Sequence, residues 1–223
     1  MYFPGNNQYV GYVVKPSQPG KYPALILIHE WWGLNDNIKK LAQDFAKEWY
    51  VVLAVDLYGK PFTTDQQTAM KMAGDVSKNE TQAFSNLNYA VEYLKWHPNV
   101  DANKLGSVGW CFGGGWAYQM AKNNLWTKAS VMYYGRFNTD DDLKMMRAKI
   151  LGHFGEKDTS ISIDSVKEFQ AKIKTLSGDN MVYIYPNAGH GFANENEQTY
   201  DKASADMAWQ RTLDFLNKNV KTK

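Results

Sequence analysis

The stretch Gly109-Trp110-Cys111-Phe112-Gly113-Gly114-Gly115 follows an apolar run typical of a buried strand, 104–109, and leads into a helical pattern. The residue at such a strand-to-helix turn adopts a strained backbone conformation, so its neighbours must be small, and glycine stands at 109 and 113. Cys111 occupies the central position of this glycine–x–nucleophile–x–glycine pattern, where serine is more usual. The sequence therefore predicts a turn that holds a thiol above the N-terminus of the following helix, whose dipole favours the reactive thiolate.

The same stretch has a plainer interpretation as a glycine-rich turn with an inert, buried thiol, because free cysteine is among the most buried residue types. The three consecutive glycines do not distinguish the two interpretations. The distinction depends on whether the rest of the chain supplies partners for a reactive thiol.

The composition of the chain is that of one globular domain, predicted here over residues 1–223. Hydrophobic residues make up 44% and charged residues 22%, which provides enough apolar surface for a large core. The formal net charge of +2 is too small to indicate a nucleic-acid surface. No apolar run approaches the roughly 20 residues that span a bilayer. We therefore expect neither nucleic acid nor a membrane as a partner.

Cys111 is the only cysteine, so the chain forms no intramolecular disulfide and has no paired thiolates for zinc or an iron–sulfur cluster. We expect no metal and no cofactor. The residues after Met1 show neither the charged nor the apolar segment of a secretory leader, which predicts that none is present. The compartment stays open: the cytoplasm is the default, and an extracytoplasmic location is the alternative if a leader has been removed. The oligomeric state is equally open, a monomer included.

Apolar runs and helical patterns alternate along the chain, which predicts a mostly parallel sheet with right-handed crossovers and helices on both faces. The apolar runs predict strands at 9–14, 22–28, 50–55, 104–109, 129–135, 149–155 and 181–185. Helical spacing predicts helices through 36–49, 80–97, 116–121, 166–176 and 199–217. Residues 61–74 predict an irregular excursion over the strand ends, and Ser77-Lys78-Asn79-Glu80 predicts a capping box after it.

Four side chains with acid, base or nucleophile chemistry lie just after predicted strands: Glu30, Cys111, Asp158 and His190. Ligand sites in open parallel sheets lie at the carboxyl ends of the strands, so we expect these four residues to meet there. Cys111, Asp158 and His190 occur in the chain order nucleophile, acid, histidine that is typical of the α/β-hydrolases. This order favours a catalytic triad over the inert-thiol interpretation.

In such a triad Cys111 attacks a carbonyl carbon, and His190 takes a proton that it later gives to the leaving group. Asp158 holds the imidazole in the required tautomer. The backbone N–H of Phe112, next to the nucleophile, is the first predicted oxyanion donor. The N–H of Trp31, after the first buried strand, is the predicted second donor.

Four stretches of the chain resemble the dienelactone hydrolase family of α/β-hydrolases: His29-Glu30-Trp31-Trp32-Gly33-Leu34-Asn35, Gly109-Trp110-Cys111-Phe112-Gly113-Gly114, Gly155-Glu156-Lys157-Asp158 and Ala188-Gly189-His190-Gly191-Phe192. Together they extend the resemblance over essentially the whole chain. The resemblance implies the α/β-hydrolase fold, hydrolysis of carboxylic esters or lactones, and a triad of Cys111, Asp158 and His190. It also implies that Glu30 contacts the resting thiol and helps to deprotonate it when substrate enters. The alternative for Glu30 is a loop carboxylate bonded to backbone amides.

The chain departs from this family at the residues that hold a substrate carboxylate. Dienelactone-specific members use one arginine after the second buried strand and another four residues past the catalytic histidine, a position that is Asn194 here. The only arginines of this chain are Arg136, Arg147 and Arg211, so the first region has none. The departure argues against dienelactone itself as the substrate, because a lysine cannot replace the bidentate guanidinium.

Several aromatic residues lie near the predicted site, and Trp32, Tyr58 and Phe192, together with Asn194, are the predicted lining of a pocket for an apolar or aromatic ester. The leading prediction is a cysteine-dependent hydrolase of small carboxylic esters or lactones that forms a covalent acyl-enzyme. Two alternatives stay open. One is a thioesterase or acyl transferase with the same triad, and the other is a thiol-based redox or ligand-binding protein on the same scaffold.

Overall fold

The computed structural model describes residues 10–222. Its strands are β1 (Gly11–Val14), β2 (Tyr22–Ile28), β3 (Val51–Val55), β4 (Val100–Trp110), β5 (Ala129–Tyr133), β6 (Lys149–Gly155) and β7 (Met181–Tyr185). They form a seven-stranded sheet in the order β1-β3-β2-β4-β5-β6-β7. Strand β1 is antiparallel to β3, and the other neighbouring pairs are parallel. The strand predicted at 9–14 is confirmed from Gly11 onwards, and residue 9 lies outside the described residues.

The helices are α1 (Asp36–Lys47), α2 (Gln66–Lys78), α3 (Glu80–Trp96), α4 (Phe112–Lys122), α5 (Ile163–Lys174) and α6 (Lys202–Leu216). A π-helical turn, Asn217–Lys221, extends α6. Across residues 10–222, none of the helices combines the length and the apolar character that a bilayer crossing demands.

Helices cover both faces of the sheet, as the alternating pattern predicts. On one face, α1 and α6 pack through residues such as Phe45 and Leu216 against alternate residues of β2 and β3. On the other face, α3 and α4 pack against the intervening residues, and α5 continues this layer over β6 and β7. Residues 24–28 of β2 and all of β3 are fully buried, which is why they form continuous apolar runs in the sequence.

The strand register brings the functional loops to one edge of the sheet. Ile28 in β2 pairs with Gly109 in β4, and Tyr133 in β5 pairs with both Trp110 and His153. The parallel strands therefore end at nearly the same level. The segments that follow β2, β4, β5, β6 and β7 all emerge at this carboxyl edge, where a binding site is expected.

The predicted excursion at 61–74 is wrong over its second half, which forms the start of α2. Asp65 caps this helix, because its carboxylate accepts from the backbone N–H of Thr68 at 2.8 Å. Most of residues 66–78 are polar, and this composition favours a loop in the sequence although the segment is helical. Helix α2 buries only two residues, Ala69 and Met72.

The predicted capping box at 77–80 is also wrong. Ser77 lies in the last turn of α2, where its hydroxyl donates to the carbonyl of Ala73, and Asn79 precedes α3 without a side-chain cap bond. Trp49 was predicted as the last apolar position of the first helix. It lies beyond the end of α1, with a φ of 65° and 47% of its surface exposed.

Candidate active site

Cys111 alone joins β4 to α4, and its backbone is strained. Its φ of 52° and ψ of −115° lie in a region that residues with a side chain rarely adopt. A Cβ at Gly109 would collide with the backbone of Gly113, and a Cβ at Gly113 would collide with the carbonyl of Ile28 in β2. The two glycines therefore allow α4 to begin in direct contact with the sheet, which is the geometry of a nucleophile elbow.

Three side chains from distant parts of the sequence meet above the carboxyl edge of the sheet. His190, in the loop after β7, places Nε2 3.2 Å from the Sγ of Cys111. Its Nδ1 lies 2.8 Å from the Oδ2 of Asp158, which belongs to the loop after β6. Cys111, His190 and Asp158 thus form one continuous chain of hydrogen bonds.

The carboxylate of Asp158 is held rigidly. Its Oδ1 accepts from the backbone N–H groups of Ser160 and Ile161 at 2.7 and 3.1 Å, and only 1% of its side chain is exposed. The backbone of His190 is held as well, because its carbonyl accepts from the hydroxyl of Thr199 at 2.5 Å. The orientation of the imidazole is therefore determined by the loops before any ligand binds.

The surroundings of His190 stabilise its protonated form. Burial lowers the pKa of His190, but hydrogen bonds to Asp158 and Cys111 and the negative charges of both groups raise it to about 10. An imidazolium donates from both nitrogens, to the carboxylate on one side and to the sulfur on the other. This arrangement suits a thiolate–imidazolium pair, in which the sulfur is the nucleophilic species.

Glu30 directly follows the His29 at the end of β2 and is 3% exposed. Its Oε2 accepts from the amide of Asn194 at 2.5 Å, and its Oε1 accepts from the hydroxyl of Tyr134 at 3.3 Å. The resemblance implies a contact between Glu30 and the resting thiol, but the thiol bonds to His190. The alternative predicts backbone amides as partners of Glu30, but its partners are two side chains. Burial and the charge of Glu197 raise the pKa of Glu30 to about 7, against the lowering effect of its two hydrogen bonds.

The backbone around Trp31 is fixed by two aromatic side chains. His29 donates from Nδ1 to the carbonyl of Glu30 at 2.6 Å, and its Nε2 accepts from the N–H of Leu57 at 3.2 Å. Burial lowers the pKa of His29, which agrees with the neutral tautomer that these two partners require. The hydroxyl of Tyr58 donates to the carbonyl of Trp31 at 3.0 Å. The segment after β2 is therefore held on both sides of the Trp31 amide.

The two predicted oxyanion donors are both located at the site. Trp31 and Phe112 line the same cavity as Cys111. Neither of their backbone N–H groups has an acceptor among residues 10–222. Phe112 lies in the first turn of α4, where the amides have no intrahelical partner. Neither amide is therefore occupied by an acceptor within the described part of the chain.

A cavity of about 620 Å³ lies over Cys111 and His190, within the size range of small-molecule sites. Its apolar and aromatic lining consists of Trp31, Met70, Ala73, Phe112, Trp116, Tyr134 and Ile161. Its polar lining includes Glu30, Ser77, Glu80, Gln119, Arg136, Ser160 and Glu197. The part of the chain that the structure describes has no group of three or more His, Cys, Asp or Glu side chains placed to hold a metal ion.

The four residues predicted to line a pocket stand behind the wall of this cavity rather than in it. Phe192 is fully buried, and Asn194 is 3% exposed with its amide bonded to the carboxylate described above. Trp32 donates from Nε1 to Glu197 at 3.0 Å, and Tyr58 is bonded to the segment after β2. Their contribution is to hold residues that line the cavity, a distinction that depends on side-chain direction and is not visible in sequence distance.

Arg136 is a cavity residue that the sequence analysis did not place at the site. It follows β5, lines the cavity, and pairs with no carboxylate among the described residues. The signal for it was present, since Tyr134-Gly135-Arg136 directly follows a predicted strand at the edge where the triad was expected. The cavity therefore contains one arginine, on a different element from the arginines that the family resemblance implies.

A mostly parallel sheet with a nucleophile elbow after a central strand, and with an acid and a histidine after later strands, is the architecture of the α/β-hydrolases. The fold and the site together define a protein of this class.

The comparisons with known proteins identify the family within the class. The model of the dienelactone hydrolase family matches residues 10–220. A provisionally named carboxymethylenebutenolidase of Yersinia pestis is 28% identical, over 93% of this chain and 83% of the relative. A provisionally named 2-oxo-3-(5-oxofuran-2-ylidene)propanoate lactonase of Bradyrhizobium is 30% identical, over 93% and 88%. The crystal structure of a provisionally named dienelactone hydrolase of Klebsiella pneumoniae superposes with a TM-score of 0.83 at 27% identity, over 93% of this chain and 92% of the other. The chain belongs to the dienelactone hydrolase family and is a carboxylic ester hydrolase.

Proposed function

We propose that this chain is a cysteine-dependent hydrolase of small carboxylic esters or lactones that works through a covalent acyl-enzyme. The observation that carries the proposal is the hydrogen-bonded chain from the sulfur of Cys111 through both nitrogens of His190 to Asp158, with distances of 3.2 and 2.8 Å. The cavity beside it has the volume of a small-molecule site. The names of the relatives support the same class of substrate, since both refer to enzymes that act on lactones.

The first half of the reaction acylates the thiol. The thiolate of Cys111 attacks the carbonyl carbon, and the resulting oxyanion accepts hydrogen bonds from the N–H groups of Trp31 and Phe112. The tetrahedral intermediate then collapses and the C–O bond to the alcohol breaks. His190 donates its proton to the leaving alkoxide, while Asp158 keeps the ring oriented. A thioester on Cys111 is left.

The second half releases the acid. The neutral imidazole of His190 removes a proton from a water molecule as the water attacks the thioester carbonyl. The same two amides hold the second oxyanion. Its collapse breaks the C–S bond, which restores the thiolate of Cys111 beside the imidazolium and releases the carboxylic acid.

Glu30 is the residue that controls the charge of the site in the resting protein. It lines the cavity together with Cys111, and its raised pKa makes it able to gain or lose a proton near neutral pH. Tyr134 lies close to both groups, since its hydroxyl bonds to Glu30 and its pKa is raised by burial first and then by the charges of Glu30 and Cys111. Where Cys111 is still a thiol, Glu30 can therefore accept its proton once substrate displaces the present hydrogen bonds of Glu30, and this transfer produces the thiolate that attacks the substrate.

The test is ester hydrolysis by purified protein and by two single variants. We expect the wild type to hydrolyse p-nitrophenyl acetate and simple lactones, and Cys111→Ala and His190→Ala to lose roughly 10³-fold or more in kcat/KM. His97→Ala is the matched histidine control, since His97 caps the C-terminus of α3 and does not line the cavity. Mass spectrometry should find the acyl group on the peptide that contains Cys111.

Two results would contradict the proposal. One is normal turnover by folded Cys111→Ala protein. The other is absence of hydrolysis on matched ester, lactone and thioester substrates, combined with reversible oxidation of the thiol by peroxide, which favours the redox-sensing alternative. A thioester rate far above the ester rate would instead identify a thioesterase with the same triad.

A further inference from the structure

Helix α2 turns one face towards the cavity. Met70, Ala73, Gly74 and Ser77 line the cavity. Their spacing of i, i+3, i+4 and i+7 places them on one side of a helix. The two residues that α2 buries in the core lie on another side. The cavity face is therefore separate from the face that anchors the helix.

The first turns of α4 form a second wall of the same cavity. Phe112, Gly115, Trp116 and Gln119 line it with the same helical spacing. Because a helix rises about 1.5 Å per residue, this face extends about 10 Å from the end that adjoins Cys111. The cavity therefore has a wall from α2 and a wall from α4, and the part between these two walls is called the channel below.

Two glycines lie on these faces, Gly74 and Gly115. Packing explains the lack of a side chain at Gly115 but not at Gly74. A Cβ at Gly115 would lie 3.3 Å from the carbonyl oxygen of Arg136, so neighbouring backbone restricts that position. A Cβ at Gly74 would meet no heavy atom within 4 Å. Gly74 also has no positive φ that would require glycine.

Glycine at position 74 destabilises α2, and no backbone or packing requirement at this position explains it. Inside a helix, glycine is less favourable than alanine, because its backbone loses more conformational freedom on folding. Gly74 is the ninth of the 13 residues of α2, well away from both caps. The lack of a side chain at Gly74 leaves open space on the cavity side of α2. The apolar lining of this cavity includes Met70, Phe112 and Trp116. Apolar walls around open space favour an apolar ligand group.

We infer that Gly74 determines substrate specificity: it widens the channel between α2 and α4, and this channel takes an extended apolar or aryl substituent of the ester or lactone. The inference rests on the proposed hydrolase function, since the channel begins at Cys111. Substrates with small substituents do not reach Gly74 and should not depend on it.

The experiment fills the space and measures selectivity. Gly74→Leu should lower kcat/KM for p-nitrophenyl hexanoate relative to p-nitrophenyl acetate by about tenfold or more, the effect of excluding a few methylene groups from a pocket. A second series, 1-naphthyl acetate against methyl acetate, tests the alcohol side in the same way. Selectivity that falls in either series supports the inference.

Two further variants separate channel width from helix stability. Gly74→Ala should raise the Tm, because alanine favours the helix, and should change selectivity little. Asp75→Leu adds the same side chain at the next residue, which is exposed and paired with Lys71 at 2.6 Å, and should leave selectivity unchanged. If folded Gly74→Leu protein keeps the wild-type ratio in both series, the inference is wrong.

A binding measurement keeps the inference testable without turnover. Intact p-nitrophenyl hexanoate can be titrated into Cys111→Ala protein, with the fluorescence of Trp31 and Trp116 in the cavity wall as the signal. Adding Gly74→Leu should weaken this binding about tenfold, and an unchanged Kd overturns the inference. If the wild type hydrolyses no ester but the Kd still depends on residue 74, the proposed hydrolase function is wrong and the inference about the channel is supported.

Discussion

At the scale of single residues, the two carboxyl groups near the thiol differ in their hydrogen-bond donors. The carboxylate of Asp158 is surrounded by two backbone N–H groups and an imidazole, so it acts only as an acceptor that orients His190. Glu30 is also buried, but within residues 10–222 its donors are the side chains of Asn194 and Tyr134 alone. Its pKa of about 7 follows mainly from this burial. In the proposed mechanism, Asp158 therefore positions the imidazole and Glu30 transfers a proton.

The pH dependence of hydrolysis tests the role of Glu30. If Glu30 must be ionised to accept the thiol proton, kcat/KM should rise as the pH increases through about 7, the pKa of its carboxyl group. Glu30→Gln should lack this limb and should be slower at pH 8. Glu80→Gln is the control, since Glu80 lines the cavity and is exposed. If Glu30→Gln protein shows the same rise of kcat/KM through about pH 7, that rise reports the ionisation of another group.

Arg136 is the arginine that lines the cavity, and we expect it to influence how the site binds anionic substrates. We expect Arg136→Gln to reduce kcat/KM for carboxylate-bearing esters by about tenfold relative to neutral esters of equal size, because a charge-assisted hydrogen bond is lost. Arg147→Gln is the control, since Arg147 is exposed and does not line the cavity. Equal selectivity in the wild type and both variants would contradict this prediction. It would mean that Arg136 does not replace the arginines that the family uses to bind a substrate carboxylate.

At the scale of elements, the site combines one rigid helix with one weakly anchored helix. Helix α4 contacts both β4 and β5 and buries most of its residues. Helix α2 buries only Ala69 and Met72, and it depends on the Asp65 cap for its first turn. Opening of such an element should require less free energy than opening of the core. The channel therefore has one fixed wall and one adaptable wall.

Removal of the cap should loosen α2 alone. Asp65→Ala leaves the N–H of Thr68 without its acceptor, whereas Asp65→Asn retains a capping side chain. We expect faster amide hydrogen exchange over 66–78 in the alanine variant and unchanged exchange in β2 and β4. Exchange over 66–78 that is as slow in Asp65→Ala as in the wild type would show that packing alone holds the helix.

At the scale of the whole molecule, the chemistry of the site affects the stability of the fold. The pKa of His190 is about 10 in the folded protein and 6.5 in the unfolded chain. Its contribution to stability is therefore complete below pH 6.5 and disappears as the pH rises through about 10, because the folded state binds the proton more tightly. Glu30 acts in the same direction at lower pH, since its raised pKa makes the folded protein less stable as the pH rises from 4.5 to about 7.

Urea denaturation at pH 6.5, 8 and 9.5 measures this linkage. The free energy of unfolding of the wild type should fall with pH in this range, and His190→Ala should show a shallower slope. His97→Ala should keep the wild-type slope, because burial lowers the pKa of His97 and its titration lies below this range. Equal slopes for all three proteins would show that the raised pKa of His190 does not contribute to stability.

The sequence by itself determined the sheet, the elbow and the identity of the residues that meet there. Strands buried on both faces appear as continuous apolar runs, and the residues after parallel strands converge on one edge whatever the details of packing. The glycines at 109 and 113 likewise indicate close backbone approaches, which the structure shows for Gly109 against Gly113 and for Gly113 against Ile28. These features follow from local pattern and topology.

Only the tertiary structure decided which side chains face the cavity and what each one contacts. Trp32 and Phe192 are near the triad in sequence, yet they lie behind the wall, whereas Arg136 and α2 form part of it. Asn194 holds Glu30 instead of a ligand. Side-chain direction and the position of a helix with only two buried residues depend on contacts between residues far apart in the chain, and local sequence does not determine them.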